Sequence, residues 1–345
     1  MSKTAIITGI TGQDAAYLAQ YLLQLDYRVI GTYRRTSSIN FWRIEELKIS
    51  DHPNLTLVEY DLTDTGDSFR LIQNHKPDEV YNLAAQSFVG VSFHQPYATA
   101  QITGIGALNL LEAIKYCNKD TRFYQASTSE LYGEVKEIPQ SEETPFHPRS
   151  PYGVAKQYAH WITRNFQESY GIFATSGILF NHESPIRGKE FVTRKITSAV
   201  GHILCGKQQC LNLGNLYAKR DWGYAKDYVI GMHQIMQAES PEIYVLATGR
   251  TESVKTFTEM SFSFAGVELE WEGEGIEEIA RDKKSGEIRV KIDSELHRPA
   301  EVGLLVGDPS KVNRELGWKA ETTLEQLCEM MVNSDIDKAK AGLRY

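Results

Sequence analysis

Residues 4–24 read TAIITGITGQDAAYLAQYLLQ: an apolar run of strand type, a short loop with two glycines, and an amphipathic helical segment. The loop, Gly9-Ile10-Thr11-Gly12-Gln13-Asp14-Ala15, has the spacing Gly-x-x-Gly-x-x-Ala. Small residues let the backbone approach a pyrophosphate, and a helix that starts here supplies N–H donors and a positive dipole. Because the loop lies at the first strand–helix junction, it predicts a dinucleotide-binding unit rather than an ordinary tight turn.

The same alternation of strand-like and helix-like segments continues outward from this stretch. Further strand-like runs are RVIGTY (28–33), LTLVEYD (55–61), EVYNLAA (79–85), RFYQAST (122–128) and IFATSGILF (172–180). Amphipathic segments such as 106–117 and 153–170 lie between them. Most runs are continuously apolar, as expected for strands covered on both faces. The pattern predicts an α/β fold with a doubly wound parallel sheet of the Rossmann type.

The alternation gives way to shorter, mixed segments after about residue 180. We predict a dinucleotide-binding domain over residues 1–180 and a smaller, mixed α/β substrate-binding region over 181–345. Segments near 212–250 and 305–320 are expected to return to the first domain. A helix is predicted over 191–205, and the charged stretch 272–287 is interpreted as a solvated hairpin or loop without function.

The composition is that of a soluble globular protein. Of 345 residues, 37 are Lys or Arg and 45 are Asp or Glu, a net charge of −8 that argues against binding to a nucleic-acid backbone. No run approaches the roughly 20 apolar residues that span a bilayer. We therefore expect a cytoplasmic protein without nucleic-acid or membrane partners. The cysteines lack the paired spacing of a zinc site or a disulfide framework, and no metal is predicted; they are Cys117, Cys205, Cys210 and Cys328.

The end of the second predicted strand decides the choice of nucleotide. An acidic residue there would hold the ribose hydroxyls of NAD, but the sequence is Arg34-Arg35-Thr36-Ser37. Two arginines and two hydroxyls favour the dianionic 2′-phosphate of NADP. The alternative interpretation is two exposed arginines on a loop.

Two further strand ends lie on the same predicted edge of the sheet. Asp61-Leu62 ends the third strand and the segment 82–87 ends the fourth, where a doubly wound sheet binds its ligand. Asp61 could accept a hydrogen bond from the adenine amino group, or it could cap the next helix.

Tyr152 and Lys156 form a Tyr-x-x-x-Lys pair, a spacing that places both side chains on one face of a helix. A second match, Tyr132 and Lys136, precedes Pro139 in a polar loop, whereas Tyr152 begins a long amphipathic segment. The helical context therefore indicates that Tyr152, rather than Tyr132, belongs to the functional pair. An adjacent ammonium, together with a positive nicotinamide, favours the phenolate, which can take a proton from a sugar hydroxyl while hydride leaves the same carbon.

Thr128 and Glu130 lie two residues apart at the end of the fifth predicted strand, where an extended backbone points both to one side. A hydroxyl beside the tyrosine is sufficient for a dehydrogenase or an epimerase. A carboxylate also allows an elimination. Once C4 of the sugar is a ketone, Glu130 can remove the acidified C5 proton and then assist loss of the C6 hydroxyl as water. A structural glutamate is the alternative.

The sequence resembles the GDP-mannose 4,6-dehydratases, an extended branch of the short-chain dehydrogenase/reductase superfamily. The likeness covers essentially the whole chain and rests on the motifs TGITGQD, YRRTSSIN, DEVYNLAAQSFV, RFYQASTSELYG, PRSPYGVAK, GILFNHESP, FVTRKIT, RDWGYAKDYV, RPAEV and GDPSK. It implies a hydro-lyase that converts GDP-mannose to GDP-4-keto-6-deoxymannose.

The resemblance also implies a set of site residues. The implied catalytic residues are Thr128, Glu130, Tyr152 and Lys156. The implied contacts to NADP are Gly9, Ile10, Thr11, Gly12, Gln13, Asp14, Arg34, Arg35, Thr36, Ser37, Asp61, Leu62, Leu83, Ala84, Ala85, Gln86, Ser87, Lys156, His182 and Arg187. The implied substrate contacts are Asn181, Lys195, Arg220, Arg298 and Glu301.

Other functions stay open at this stage. A GDP-manno-heptose 4,6-dehydratase would differ only in the volume needed beyond C6, and an NADPH-dependent 4-ketosugar reductase or epimerase would share the fold. A cofactor-binding regulatory or scaffold protein is the alternative without catalysis. In similar enzymes the arginine–serine loop after the second strand reaches a neighbouring subunit, so the resemblance implies a homo-oligomer, either a tetramer or a dimer.

Overall fold

The computed structural model describes residues 2–38, 40–296 and 302–343, so the predicted substrate contacts Arg298 and Glu301 lie outside the described residues. The strands are β1 Thr4–Thr8, β2 Arg28–Tyr33, β3 Leu55–Glu59, β4 Glu79–Asn82, β5 Arg122–Thr128, β6 Ala174–Leu179, β7 Asn181–Glu183, β8 Leu211–Leu213, β9 Lys219–Arg220, β10 Trp222–Tyr224, β11 Tyr244–Leu246, β12 Glu252–Ser253, β13 Leu269–Glu272, β14 Ile279–Asp282 and β15 Ile288–Ile292.

The helices alternate with the strands in the first half of the chain. They are α1 Gln13–Gln24, α2 Trp42–Glu46, α3 Thr65–His75, α4 Val89–His94, α5 Pro96–Thr99, α6 Gly106–Cys117, α7 Pro151–Tyr170, α8 Val192–Leu204, α9 Ala225–Gln237, α10 Val254–Phe264, α11 Ser310–Leu316 and α12 Leu324–Lys340. A π-helical segment, Ala100–Ile105, joins α5 to α6, and a 3₁₀ turn, Ser129–Leu131, follows β5.

The main sheet has seven strands in the order β11-β6-β5-β4-β1-β2-β3. Every neighbouring pair in it is parallel. The strand order reverses between β1 and β4, which is the position where a doubly wound sheet binds its ligand. The predicted doubly wound parallel sheet is confirmed.

Helices cover both faces of this sheet, which explains why its strands read as continuous apolar runs. One core joins α1 and α9 to the sheet, with Leu18 and Met232 fully buried. The opposite core joins α3, α6 and α7 to the sheet, with Ile72, Leu110 and Phe166 buried.

The strands after β6 are divided among the main sheet, a four-stranded sheet and the two-stranded pairs β10-β7 and β12-β9. β11 pairs with β6 at the edge of the main sheet, while β13, β14, β15 and β8 form a separate four-stranded sheet. A third core lies between α8, α10, α12 and this sheet. The charged stretch 272–287 includes the β13–β14 connection, in agreement with the predicted hairpin. The exact domain boundaries stay a prediction.

Helix α7, which carries the Tyr-x-x-x-Lys pair, has clear end signals in the sequence. The Ser150 hydroxyl accepts a hydrogen bond from the Gly153 N–H at 3.0 Å, and Pro151 occupies the first turn. Gly171 ends the helix with φ of +66°. A side-chain cap, a proline at the start and a left-handed glycine at the end are typical helix boundaries.

Within the described residues, every helix is too short or too polar to cross a bilayer. In the same part of the chain, no group of three or more His, Cys, Asp or Glu side chains could hold a metal ion.

Candidate active site

A cavity of about 370 Å³ opens at the carboxyl edge of the main sheet, at the β1–β4 switch point. It brings together side chains from both halves of the chain. Those of the predicted site residues that line it are Gly9, Gly12, Gln13, Asp14, Leu83, Ala85, Ser87, Thr128, Glu130, Tyr152, Lys156, Asn181, His182, Arg187, Lys195 and Arg220.

The loop after β1 is shaped by Gly9. This residue has φ of +74°, and a Cβ built on it would lie 3.0 Å from the Ala84 Cα. The Gly12 N–H then donates to the Gly9 carbonyl at 2.8 Å, which turns the chain into α1. A side chain at position 9 would be strained and crowded, so the turn requires glycine. The Ile10 side chain is fully buried in the core, so only its backbone could reach a ligand.

No side chain in the described part of the protein caps the N-terminus of α1. Its first-turn carboxylate, Asp14, instead pairs with His182, whose Nε2 lies 2.8 Å from the Asp14 Oδ2. Burial alone would raise the pKa of Asp14, but the charge and hydrogen bond of His182 lower it to about 2. Burial opposes a charge on His182, yet Asp14 outweighs it and raises the pKa of His182. The helix start therefore keeps donors for an anion while its own carboxylate is neutralised by an ion pair.

The segment 83–87 is held beside the glycine loop by Thr8, a residue that the sequence reasoning missed. The Thr8 hydroxyl accepts hydrogen bonds from the Leu83 and Ala84 N–H groups, each at 3.0 Å, and donates to the Asn82 Oδ1 at 2.8 Å. These bonds fix the backbone after β4 against the end of β1.

The segment Arg34–Ser37 lies on the surface beyond β2, away from the lining of the cavity. An Arg35 Nη1 lies 3.8 Å from a Glu59 carboxylate oxygen, but the side chains are 83% and 54% exposed. An ion pair so exposed contributes little and leaves the arginine able to reorient.

Asp61 does not cap α3. That role belongs to Asp64, whose side chain accepts from the Asp67 N–H at 3.2 Å. The Asp61 Oδ1 accepts from the N–H and hydroxyl of Thr63 at 2.9 and 2.7 Å, and these bonds lower the pKa of Asp61. The Leu62 side chain is buried in the core.

The geometry at the end of β5 differs from the sequence prediction. The strand ends at Thr128, and Glu130 lies in a 3₁₀ turn rather than in extended backbone. The cause is local, because the Thr128 hydroxyl accepts from the Glu130 N–H at 3.3 Å and so caps the turn. Both side chains nevertheless line the cavity.

Tyr152 and Lys156 lie on the face of α7 that packs against β5. The Lys156 Nζ donates to the Ala126 carbonyl at 2.7 Å and lies 5.9 Å from the centre of the Tyr152 ring. Burial lowers the pKa of Lys156 to about 8. Burial also raises the pKa of Tyr152, although a hydrogen bond with Thr128 acts in the opposite direction. The groups of the chain alone thus keep Tyr152 as a phenol, and the predicted phenolate depends on the added positive charge of a nicotinamide.

Gly153, between these two residues, explains how closely α7 approaches the 3₁₀ turn. A Cβ at this position would lie 2.9 Å from the Glu130 carbonyl oxygen and 2.9 Å from the Pro148 Cβ. A larger residue would push Tyr152 away from Glu130. The glycine between Tyr152 and Lys156 is a signal in the sequence that could have indicated this close approach.

The competing match, Tyr132 and Lys136, is structural. Tyr132 is fully buried, and its hydroxyl donates to the Ser141 carbonyl at 2.7 Å. It belongs to a small core with Phe180 and Leu305 rather than to the cavity.

Arg187 lines the cavity within electrostatic range of Asp14 and Tyr152. Its Nε lies 3.0 Å from a Glu183 carboxylate oxygen, and its guanidinium stacks 3.5 Å from the centre of the Phe191 ring. Its charge acts on Asp14 and on Tyr152, lowering the pKa of each. Glu183 and Phe191 were missed because tertiary contacts, not a local pattern, bring them to Arg187.

Three predicted substrate contacts line the remaining wall of the cavity. The Asn181 Oδ1 is buried without a hydrogen-bond partner in the described part of the chain. Burial lowers the pKa of Lys195, and the Arg220 side chain is buried at the end of β9. A buried acceptor that lacks a protein partner is costly unless a ligand or water satisfies it.

A family model described as GDP-mannose 4,6 dehydratase matches residues 6–331. A curated GDP-mannose 4,6-dehydratase from Yersinia enterocolitica is 52% identical over an alignment of 353 residues, covering 98% of this chain and 95% of the relative. The human GDP-mannose 4,6 dehydratase is 50% identical over 341 residues, covering 97% of this chain and 92% of the relative. The chain belongs to the GDP-mannose 4,6-dehydratase family. The resemblance inferred from the motifs is confirmed.

Solved structures with the same fold include sugar-nucleotide enzymes. A UDP-glucose 4-epimerase from Thermotoga maritima with UDP-glucose has a TM-score of 0.79 at 25% identity, covering 96% of this chain and 98% of the other. A dTDP-glucose 4,6-dehydratase from Streptomyces venezuelae has a TM-score of 0.82 at 21% identity, covering 98% of each chain, and is evidence for the fold alone.

Proposed function

We propose that this family member is an NADP-dependent hydro-lyase that converts GDP-mannose to GDP-4-keto-6-deoxymannose and water. The observation that carries the proposal is the meeting of Thr128, Glu130, Tyr152 and Lys156 in one cavity. A reductase or epimerase needs the hydroxyl, the tyrosine and the lysine. Only a reaction that also removes a proton next to a carbonyl needs the carboxylate beside them.

The residues present fit a nicotinamide dinucleotide. The Gly9 turn has no room for a Cβ, and the start of α1 has no side-chain cap among the described residues. These features suit a pyrophosphate, with Arg187 as a nearby cation. Arg34 and Arg35 would hold the 2′-phosphate that distinguishes NADP from NAD, while Asp61 would face the adenine. When bound, the dinucleotide would take a hydride from C4 and return it to C6.

Tyr152 would remove the proton of the C4 hydroxyl, with Thr128 holding the same oxygen by a hydrogen bond. The O–H bond breaks, the phenolate becomes a phenol, and C4 becomes a ketone. Because burial raises the pKa of Tyr152, the phenolate needs a positive charge close by. Lys156, fixed by the Ala126 carbonyl, supplies part of it.

Glu130 would then carry out the elimination. Its carboxylate removes the C5 proton, which the neighbouring ketone acidifies, and a C5–C6 double bond forms as the C6–O bond breaks. The same proton passes to the departing hydroxyl, which leaves as water. Tyr152 can return its proton to C5 and so ends each turnover as a phenolate, which balances the protons of the reaction.

The substrate would be held by other cations and polar groups that line the same cavity. Lys195 and Arg220 would contact the diphosphate, and the unpartnered Asn181 oxygen would accept from a substrate hydroxyl or amide. Contacts from Arg298 and Glu301 stay predictions, as do the homo-oligomer and the cytoplasmic location. A heptose in place of mannose would require only more space beyond C6.

The reaction is tested by incubating the purified protein with NADP⁺ and GDP-mannose that carries deuterium at C4. We expect a product lighter by one water, with the deuterium on the new methyl group, by mass spectrometry and NMR. Loss of the deuterium to solvent, or its accumulation on the dinucleotide, would contradict the proposal. Parallel reactions with GDP-manno-heptose, and with NAD⁺, test the alternatives for substrate and cofactor.

Glu130→Gln tests the assigned role of the carboxylate. The amide cannot accept the C5 proton, so we expect water loss to fall by about 10²- to 10⁴-fold while GDP-mannose and NADP⁺ still bind. Glu134→Gln is the matched control, because Glu134 is half exposed and pairs with Arg149 outside the cavity lining. Normal dehydration by Glu130→Gln would refute the role.

A further inference from the structure

Three consecutive backbone carbonyls, those of Pro185, Ile186 and Arg187, each accept a hydrogen bond from a different basic side chain. The Lys338 Nζ donates to the Pro185 oxygen at 2.9 Å, and the Arg43 Nε donates to the Ile186 oxygen at 2.7 Å. An Arg194 Nη1 donates to the Arg187 oxygen at 2.9 Å. The three donors come from α12, α2 and α8, so these carbonyls join three elements that are far apart in the sequence.

Each donor is itself fixed by a second contact. An Arg194 Nη2 pairs with an Asp335 carboxylate oxygen at 2.8 Å, and the Lys338 Nζ pairs with a Glu46 oxygen at 3.0 Å. An Arg43 Nη1 donates to the Thr11 carbonyl in the glycine loop at 2.7 Å. Hydrogen bonds from charged donors are stronger than neutral ones, and a donor held at a second point has less freedom to move.

The residue that ends this run, Arg187, is the one whose side chain enters the cavity. Its guanidinium is set between the Glu183 carboxylate and the Phe191 ring. Its backbone is fixed by Arg194 on one side and by the Ser184 carbonyl, which accepts from the Arg187 N–H at 3.0 Å. A fixed starting point reduces the conformational freedom that a long, flexible side chain loses when it binds a phosphate.

We propose that Lys338, Arg43 and Arg194 are positioning residues that fix the Pro185–Arg187 backbone so that Arg187 is pre-set to bind a phosphate group. The inference rests on the proposed function, which supplies two sources of that phosphate: the dinucleotide and the nucleoside diphosphate of the substrate. It gives the C-terminal helix α12 a part in ligand binding, although neither Lys338 nor its partner Glu46 lines the cavity.

Lys338→Met is the variant of choice, because methionine keeps an apolar stem beside the Trp42 ring, whose centre lies 5.6 Å from the lysine nitrogen. By isothermal titration calorimetry we expect roughly tenfold weaker binding of the ligand whose phosphate Arg187 contacts, as for one misplaced charged contact. Separate titrations with NADP⁺ and with GDP show which ligand this is. The KM for that ligand should rise with kcat nearly unchanged, which a general loss of folding would not produce.

The matched control is Lys207→Met. Lys207 also donates to a backbone carbonyl, that of Ala339 near the end of α12, but it has no bond to the Pro185–Arg187 carbonyls. Its variant should bind both ligands as the unmodified protein does. If Lys338→Met lowers the melting temperature, Arg43→Lys replaces it, since a lysine keeps the charge but cannot reach both the Thr11 and Ile186 carbonyls. Because Arg43 also bonds to the glycine loop, only the part of its effect that disappears in the Arg187→Met background is assigned to Arg187.

A double-mutant cycle with Arg187→Met decides whether Lys338 acts through Arg187. If it does, Lys338→Met should weaken binding about tenfold in the unmodified protein and hardly at all in the Arg187→Met background. Equal weakening in both backgrounds, or none in either, would overturn the inference while leaving the proposed function intact. Failure of the unmodified protein to bind NADP⁺ and GDP would overturn both.

Discussion

The two ends of the proposed dinucleotide groove differ in how firmly the chain holds its charged groups. At the inner end, Asp14 and His182 form a partly buried ion pair, and Arg187 is fixed by Glu183 and Phe191. At the outer end, Arg34–Ser38 is exposed, and the pairing of Arg35 with Glu59 is long and exposed to solvent.

This difference indicates which end of the groove is already ordered before a ligand binds. Paired groups that are largely shielded from solvent keep their positions before the ligand arrives, so little ordering is required on binding. Exposed arginines must become ordered with the ligand, and salt screens their attraction over about 10 Å. We therefore expect the inner end to set the chemistry and the outer end to set a modest, salt-dependent preference between nucleotides.

The largest effect is expected at the inner end, for Tyr152→Phe. Without the hydroxyl, the C4 proton has no acceptor, so kcat should fall by about 10²- to 10⁴-fold. The measurement is the rate of product formation from GDP-mannose by mass spectrometry, with NADP⁺ affinity followed separately.

Tyr132→Phe is the matched control for this prediction. It removes the hydrogen bond to the Ser141 carbonyl and should lower the stability by about 1 kcal/mol, with kcat retained. If the two variants lost activity equally, the distinction between the two Tyr-x-x-x-Lys matches would be wrong.

Local sequence patterns predicted much of this fold and part of its site. The strand Arg28–Tyr33 and the helix Gly106–Cys117 have the bounds that periodicity predicted. The glycine loop was identified because a positive φ and a close approach leave a mark in the sequence itself, as at Gly9. Residues that act through their own local pattern can be predicted in this way.

The failures concern hydrogen bonds that no sequence pattern shows, one of them local and the others between distant segments. Extended backbone was expected at Glu130, but the Thr128 hydroxyl accepts a hydrogen bond from the Glu130 N–H and a turn forms instead. Arg43 and Lys338 are unremarkable charges in the sequence, and only folding brings them to adjacent carbonyls. Tertiary hydrogen bonds of this type have no signature in a single sequence.

A smaller effect is expected at the outer end, for Arg34→Ala and Arg35→Ala. Each should weaken NADP⁺ binding by roughly tenfold at low salt and less at high salt, because an exposed contact to a dianion is screened. NAD⁺ lacks the 2′-phosphate, so its binding should change little. Calorimetric titrations of both nucleotides at two salt concentrations measure the difference.

Arg314→Ala is the control for these arginines. Arg314 is 67% exposed and pairs with Glu315 on α11, so its removal tests the general loss of one surface charge. Equal losses of NADP⁺ and NAD⁺ affinity in the Arg34 and Arg35 variants would contradict the 2′-phosphate interpretation.

The smallest effect on binding is expected for Asp14→Asn, because it removes the charge of Asp14 together with the partner that keeps His182 charged, so the partly buried pair becomes neutral as a whole. Burial and the Arg187 charge both lower the pKa of His182, so without the carboxylate its pKa should fall below the ordinary value near 6.5. NMR titration of the imidazole Cε1 proton measures this, with His160 as the internal control. The pKa of His160 is already lowered to about 4 by burial, and its Nδ1 lies 2.9 Å from the Ser127 hydroxyl.

The Asp14–His182 pair also determines how the stability of the folded protein should change with pH. Asp14 has a lowered pKa, so its stabilising effect is complete above pH 3.8 and is lost as the pH falls through about 2. His182 has a raised pKa, so its contribution is complete below 6.5 and is lost as the pH rises through its higher folded value. The pair should therefore stabilise the unmodified protein most between about pH 3.8 and pH 6.5. In the Asp14→Asn variant, the melting temperature should no longer show this dependence on pH. An unchanged titration of His182 in the variant would show that another group sets its charge, and the inner end would then not be pre-organised by this pair.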